Sequence, residues 1–331
     1  MSAHALDFSI ALSNNERTRP IIEGRHQPQG INFLPTVVHP SEMFWRQLKF
    51  AEFDVSEMSI SSLLIAVSKG DTRFVAIPIY TARMFFHTRI MVRRDSGINT
   101  PADLKGKRIG VPEYQQTSAI WSRGVLQHEF GVHARDIKWH MERHPDKSHG
   151  GSTGFKAPEG VSIEQIPLST NIGEMLLKGE LDGALLYLNE PNLVDRSTAD
   201  ISGVCRPLFA DPVAESTRYF NKNGIYPINH AMVIKRELHE EFPWAAVNIY
   251  HAFTKAKAEV EAAAEKTLRD YVACGLIEPK AGKMFSADPK AYGLRATRNV
   301  IDTIASYVYE QGLTERLVKA EELFAPATFD L

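Results

Sequence analysis

Apolar runs at strand spacing alternate with helix-like segments along much of this chain, and that alternation constrains the fold more than any other feature. Leu6, Phe8, Ile10 and Leu12 alternate with Asp7, Ser9 and Ala11, the period of a half-buried strand. Ile31 to Val38 and Phe53 to Val55 are further strand candidates, and Phe74 to Ile79 suits a strand covered on both faces. Between them Ser41 is placed to cap a helix bearing Phe44, Trp45 and Leu48, and residues 56–62 lead into a helix ending near Gly70. The pattern continues with a strand over Arg89–Arg93, a short helix opened by Pro101, and a helix over Thr117–Phe130 that Gly131 ends. Ser169 or Thr170 is placed to cap a helix stopping at Gly179, and Gly183–Leu188 reads as a buried strand. Long helices are expected over Pro243–Ala273 and Arg295–Gln311. Residues 144–160 mix Pro, Gly, Ser, Lys and His without periodicity and read as a long mobile loop. These units predict an α/β fold with mostly parallel sheets. At 331 residues the chain is long enough to divide between two domains.

Charge removes several partner classes. Lys plus Arg number 38 against 40 Asp plus Glu, a net charge of −2, so no overall field favours nucleic acid or anionic lipid. Any bound anion must be held by a local group of cations or amides. Cys205 and Cys274 match no zinc or redox spacing and are expected to be free buried thiols. The N-terminal residues lack a basic segment followed by an apolar core, and no apolar run approaches a membrane span, so a cytoplasmic location is expected.

Ligands of open parallel sheets bind beyond the carboxyl ends of strands. Four polar segments occupy such places, residues 13–19, 56–62, 113–118 and 189–191, and contribute Arg17, Glu57 and Ser59, Tyr114, Gln116 and Thr117, and Glu190. Tyr114 to Ser118 stands at a helix N-terminus, where free amides favour an anion. Arg83 could fork onto a carboxylate, or form a surface ion pair; His87 could be a site histidine or a satisfied buried one. Trp121 and Arg123 could supply a flat wall and a second cation, Trp121 being equally suited to the core. Asn229 and His230 precede a strand, and a histidine there could move a proton or serve as a hinge residue. His140 and His144 are four apart with His149 beyond, but they run into Pro145 without an HExxH, and solvated loop histidines are expected. No GxGxxG, P-loop or GxSxG is present.

Residues 97–114, with the run Asp103-Leu104-Lys105-Gly106-Lys107-Arg108-Ile109-Gly110-Val111, resemble the type-two periplasmic-binding-protein fold. Arg83-Met84-Phe85-x-His87, Trp121-x-Arg123-Gly124, Tyr226-Pro227-Ile228-Asn229-His230 and the tail Glu310-Gln311-Gly312-Leu313-Thr314 are more specific. With nearly the whole chain, they resemble the 4,5-dihydroxyphthalate decarboxylase family. The resemblance implies two lobes, residues 1–88 plus 229–331 and residues 89–228, with a ligand cleft between them and Arg83, His87 and His230 near it. It further implies a carboxy-lyase converting 4,5-dihydroxyphthalate to 3,4-dihydroxybenzoate and carbon dioxide. The alternatives are a solute-binding protein of an ABC transporter for a small organic anion, or another enzyme on the same scaffold.

Direct loss of carbon dioxide from an aromatic ring would leave a carbanion without an electron sink. Protonating the ring carbon that bears the carboxylate avoids this, and a para hydroxyl supplies electrons. His230 or His87 is the expected proton carrier, and Glu57 and Glu190 are candidates to accept from the hydroxyls. Arg83, Arg123 and Arg17 would orient the carboxylates, alongside Ser59, Tyr114, Gln116, Thr117, Trp121 and Asn229. The scheme requires no organic cofactor and leaves a metal open. The expected partner is a small aromatic carboxylate; self-association is left open.

Overall fold

In the computed structural model, which describes residues 5–190, 192–278, 288 and 290–331, two β-sheets organise the chain. The strands are β1 (Leu6–Leu12), β2 (Ile31–Val37), β3 (Val55–Ser59), β4 (Phe74–Arg83), β5 (Met91–Arg93) and β6 (Arg108–Val111). They continue with β7 (Lys138–Met141), β8 (Ile163–Gln165), β9 (Gly183–Ala184), β10 (Cys205–Pro207) and β11 (Ile228–Lys235). The first sheet has the order β2-β1-β3-β11-β4 and the second β10-β5-β9-β6-β7-β8. Each sheet belongs to one lobe. Both are mixed: β1 runs parallel to β2 and β3, and β6 to β7 and β9, whereas β11 is antiparallel to β3 and β4. The chain leaves the first lobe after β4 and returns as β11, which is inserted between β3 and β4.

Helices cover the sheets. They are α1 (Arg19–Ile22), α2 (Pro40–Phe50), α3 (Ile60–Ser68), α4 (Thr117–Phe130), α5 (His149–Thr153) and α6 (Ile172–Lys178). After these come α7 (Pro212–Asn223), α8 (Arg236–Glu241), α9 (Ala245–Ala273), α10 (Leu294–Glu310) and α11 (Ala320–Leu323). No helix among the described residues is long and apolar enough to cross a membrane. One apolar cluster runs through both lobes, from Phe8 and Ile10 of β1 to Ile109 of β6 and Trp139 of β7.

Local chemistry shifts several expected boundaries. His39, not Ser41, caps α2: Pro40 takes the first helical position, where its missing N–H costs nothing, and the His39 ring accepts from Ser41 N–H at 3.3 Å. Asn171, not Ser169 or Thr170, caps α6 by accepting from Glu174 N–H at 3.0 Å. The strand expected over 183–188 pairs only at Gly183–Ala184 as a ladder, because β6 beside it ends at Val111. Cys205 is buried as expected, but Cys274 is exposed near the end of α9.

The larger correction is at residues 144–160, whose first half is structured while residues 154–160 remain a loop. A 3-10 turn over Pro145–Lys147 leads into α5, whose cap Ser148 accepts from Gly151 N–H at 2.8 Å. A five-residue helix has too few turns to show periodicity and takes its stability from tertiary contact. Here Gly150 N–H donates to buried Glu113 at 2.6 Å, and Trp45 and Lys49 of α2 donate to the Asp146 carbonyl. A Cβ at Gly151 would lie 1.6 Å from the Pro145 carbonyl oxygen. Gly151→Ala must therefore displace backbone, and is expected to destabilise the protein by about 1–3 kcal/mol, measured by urea unfolding. A stability unchanged within about 0.5 kcal/mol would contradict that packing.

Candidate active site

A pocket of about 210 Å³ lies between the lobes, where the parallel strands point their carboxyl ends. The first lobe supplies His39, Pro40 and Ser41 beyond β2, Phe44 of α2, and Ser59 at the end of β3. The second lobe supplies Gln116, Thr117 and Ser118 after β6, Arg143 and His149 after β7, and Leu186 and Leu188 after β9. The crossings add Met84, Phe86, Asn229 and His230.

Glu57 and His230 form a hydrogen-bonded carboxylate–imidazole pair at the pocket. In the antiparallel pair of β3 and β11, His230 lies opposite Ser59, so Glu57 two residues back is its diagonal neighbour on the same face. The buried Glu57 carboxylate accepts from Ser13 N–H and Ser13 Oγ, both at 2.6 Å, from Thr81 Oγ1 at 2.6 Å and from His230 Nδ1 at 3.0 Å. Burial alone would raise its pKa. The His230 hydrogen bond and charge, with the Ser13 and Thr81 donors, outweigh burial and hold Glu57 below the usual carboxylate range. An ionised carboxylate only accepts, which assigns the His230 proton to Nδ1. The Asn229 side-chain amide donates to Nε2 at 2.9 Å, consistent with a lone pair there. His230 therefore presents Nε2 at the pocket, with Nδ1 held by an ionised carboxylate.

Phe44 packs edge-on against the rings of both His230, at 4.6 Å, and His149, at 5.5 Å. His149 is only 2% exposed, with Nδ1 3.1 Å from Ser62 Oγ. Burial lowers its pKa despite Glu113 nearby. On the other side of α2's cap, His39 uses Nδ1 to accept from Ser41 N–H, which leaves the proton on Nε2. Arg143 is fully engaged. It donates to both Asp195 oxygens at 2.6 and 3.1 Å, to Glu113 at 3.0 Å and to Ser41 Oγ across the cleft.

Of the residues singled out from sequence, Ser59, Gln116, Thr117, Asn229 and His230 line the pocket, and Glu57 stands directly behind His230. Thr117 does not cap α4, which Gln116 does; its hydroxyl instead contacts Ser59 Oγ at 2.8 Å and accepts from Ser61 N–H at 3.1 Å. This joins the lobes.

The other candidates lie elsewhere, each for a physical reason. His87 is 1% exposed with Nε2 3.1 Å from Glu215, and burial pushes its pKa down to about 4. Trp121 belongs to the core and donates from Nε1 to the Ile228 carbonyl at 2.8 Å. Arg123 is buried with its guanidinium 3.7 Å from the Tyr114 ring centre, and donates to the Tyr114 carbonyl and Gln311. Arg123 and Tyr114 are thus engaged with each other and lie outside the pocket lining. Arg83 donates to the Ala291 carbonyl at 3.1 Å, and Arg17 donates from Nε to the Thr81 carbonyl at 3.1 Å, both outside the pocket lining. Glu190 is exposed, outside the lining but near enough to His39 to favour its charged ring. Residue 191 lies outside the described residues. Among the described residues, no group of three or more His, Cys, Asp or Glu is placed to hold a metal ion.

His39 and Arg143 were missed, Ser41 was read only as a helix cap, and His149, expected to be a solvated loop histidine, is instead buried. The rule that singles out residues beyond strand ends would have reached His39 to Ser41, directly after β2. Arg143 and His149 follow β7, whose sequence Lys-Trp-His-Met carries too little apolar alternation to announce a strand.

Comparisons with known proteins agree with this architecture. A family model described as the periplasmic substrate-binding protein of phosphonate ABC transporters matches residues 35–152. A 4,5-dihydroxyphthalate decarboxylase of Comamonas testosteroni is 34% identical over 328 residues, covering 98% of this chain and 98% of that relative. A second protein of that description, from Pseudomonas putida, is 37% identical over 180 residues, covering 54% of this chain and 70% of the relative. Among solved structures, the alkanesulfonate-binding protein SsuA from Xanthomonas axonopodis pv. citri, bound to MOPS, superposes with a TM-score of 0.58. It is 15% identical, with 98% of this chain and 99% of that chain covered, a likeness of fold alone.

Proposed function

The chain belongs to the 4,5-dihydroxyphthalate decarboxylase family, and from that membership we propose that it removes one carboxylate from 4,5-dihydroxyphthalate without oxidation, giving 3,4-dihydroxybenzoate and carbon dioxide. The observation that carries the reading is the Glu57–His230 pair, with Nε2 at the pocket and Nδ1 held by an ionised carboxylate.

His230, protonated on both nitrogens, gives the Nε2 proton to the ring carbon bearing the departing carboxylate. The para hydroxyl feeds electrons into the ring and stabilises the resulting cation. The bond to the carboxylate then breaks, its electron pair restores aromaticity, and carbon dioxide leaves. One proton enters the product, and solvent returns one to His230. Glu57 stabilises the imidazolium that forms when Nε2 takes up its proton, and a 180° turn of the Asn229 amide lets its oxygen accept from Nε2–H.

Arg143 bears on the departing group. Its charge is already matched by Asp195 and Glu113, so it offers no strong clamp to a carboxylate in the pocket. A clamp on the departing carboxylate would stabilise the ground state more than a transition state becoming neutral carbon dioxide, and would slow the reaction. Neutral donors suit this step better than the arginine forks expected from sequence. The scheme uses no organic cofactor.

The test is incubation of purified protein with 4,5-dihydroxyphthalate, following both products. Carbon dioxide and 3,4-dihydroxybenzoate in equal amounts are expected. Binding without release of carbon dioxide would instead favour a solute-binding role, which the fold also serves.

A further inference from the structure

We propose that His149 is a substrate-binding residue: with Gln116 and the first amides of α4 it forms a seat for the carboxylate that stays on the ring, and it takes up a proton as that carboxylate binds. The inference rests on the decarboxylase reading for the identity of the ligand, though not for the existence of the seat.

Three observations concern residues that line this pocket. The Gln116 side-chain nitrogen is buried without a hydrogen-bond partner among the described residues, although Gln116 is only 6% exposed and lines the pocket. His149 Nε2 is likewise buried without a partner, in a ring that also lines the pocket. Buried polar atoms are nearly always satisfied, so two orphans on residues that line one cavity point to a polar ligand that completes the bonding. The third is α4 itself, a 14-residue helix whose first-turn amides at Thr117 and Ser118 have no intrahelical acceptor. An amide nitrogen, two N–H groups and an imidazole are donors suited to a carboxylate once the imidazole is charged.

The tautomer sets the proton count. Ser62 Oγ donates to Ser59 Oγ at 3.2 Å, so in the empty pocket His149 Nδ1 is the donor to Ser62 and Nε2 holds the lone pair. A carboxylate cannot accept from a lone pair, and so it binds with one proton added at Nε2. The charges around the ring are Glu113, 3.8 Å from Nδ1, and behind it Arg143 with Asp195; across the pocket are His39 and His230, the latter backed by Glu57. Burial lowers the His149 pKa most and Arg143 also opposes protonation, while Glu113, the Ser41 backbone and Asp195 favour it. An incoming carboxylate reverses that balance.

The test uses phthalate, which carries both carboxylates but lacks the hydroxyls needed for reaction. Calorimetry at pH 7 in phosphate and in Tris, which differ in ionisation enthalpy, counts protons bound with the ligand. About one proton per phthalate is expected for wild type and for His230→Gln, and none for His149→Gln, whose affinity falls roughly 10–100-fold. Gln116→Glu, which sets a negative charge in the same seat, is expected to weaken phthalate similarly, and serves if His149→Gln does not fold. Undiminished affinity in both variants, or proton uptake lost in His230→Gln but kept in His149→Gln, overturns the proposal. If wild type binds phthalate as described but releases no carbon dioxide from 4,5-dihydroxyphthalate, the seat stands and the decarboxylase reading falls. Turnover with unaltered phthalate binding in both variants has the opposite meaning, and failure of wild type to bind phthalate overturns the seat alone.

Discussion

Glu57→Gln is expected to lower kcat by about 10²–10⁴-fold, the range that a correctly protonated acid–base group supplies. The substitution keeps the shape of the side chain and removes its charge. A glutamine can present its nitrogen to His230 Nδ1, which moves the ring proton to Nε2 and against the Asn229 amide. It also loses the charge that stabilises the imidazolium. KM should change far less, because Glu57 is buried behind His230 and has no surface in the pocket. A kcat within threefold of wild type would show that His230 works without its partner. A collapse of kcat and KM together, with a lowered melting temperature, would show instead that Glu57 acts through the Ser13 and Thr81 bonds that shape the cleft.

The largest expected effect on stability follows Arg143→Met. Arg143 stands between Asp195 and Glu113 in a buried triad, and its removal leaves two carboxylates uncompensated. Breaking a buried pair in this way costs about 3–5 kcal/mol. The pH dependence has a definite sign. Burial would raise the Asp195 pKa, but the charge and hydrogen bonds of Arg143, with Asn192 and Ser41, hold it at about 2. That lies below the ordinary aspartate value of about 4, so this stabilisation is fully present above roughly pH 4 and is lost as pH falls towards 2. In the variant Asp195 is expected to bind a proton more readily when folded, and so the deficit should shrink on acidification. Urea unfolding at pH 7 and pH 4 measures both trends. A deficit below about 1 kcal/mol at pH 7, or one that grows in acid, would contradict the role given to the triad.

What could be read from sequence follows the range of the forces involved. β1 was legible because its alternation is local and Phe8, Ile10 and Leu12 all turn to the core. The end of α4 was legible because Gly131 adopts the left-handed conformation that stops a helix. Asn229 and His230 were legible together as neighbours at a crossing, and Glu57 as part of a polar segment after a strand, although the strand itself runs over Val55–Ser59 and contains it. The arginines were not. Arg123 finds Gln311 188 residues away, and Arg143 finds Asp195 52 away, pairings that no local pattern encodes. At the first crossing, Met84 and Phe86 line the pocket while Arg83 and His87 do not, so the polar residues that drew attention lie off the pocket and their apolar neighbours on it. His149 was hidden by its glycine-rich context, which reads as a loop but folds as a short capped helix under Glu113.

The claim at the centre is that His230 carries the proton into the ring. Single-turnover incubation of wild type and His230→Gln with 4,5-dihydroxyphthalate, with phthalate affinity measured on the same preparations, tests it most directly. The account predicts equal carbon dioxide and 3,4-dihydroxybenzoate from wild type, and from the variant a rate lower by about 10²–10⁴-fold with phthalate affinity kept within a few-fold. A variant that releases carbon dioxide at the wild-type rate would contradict it.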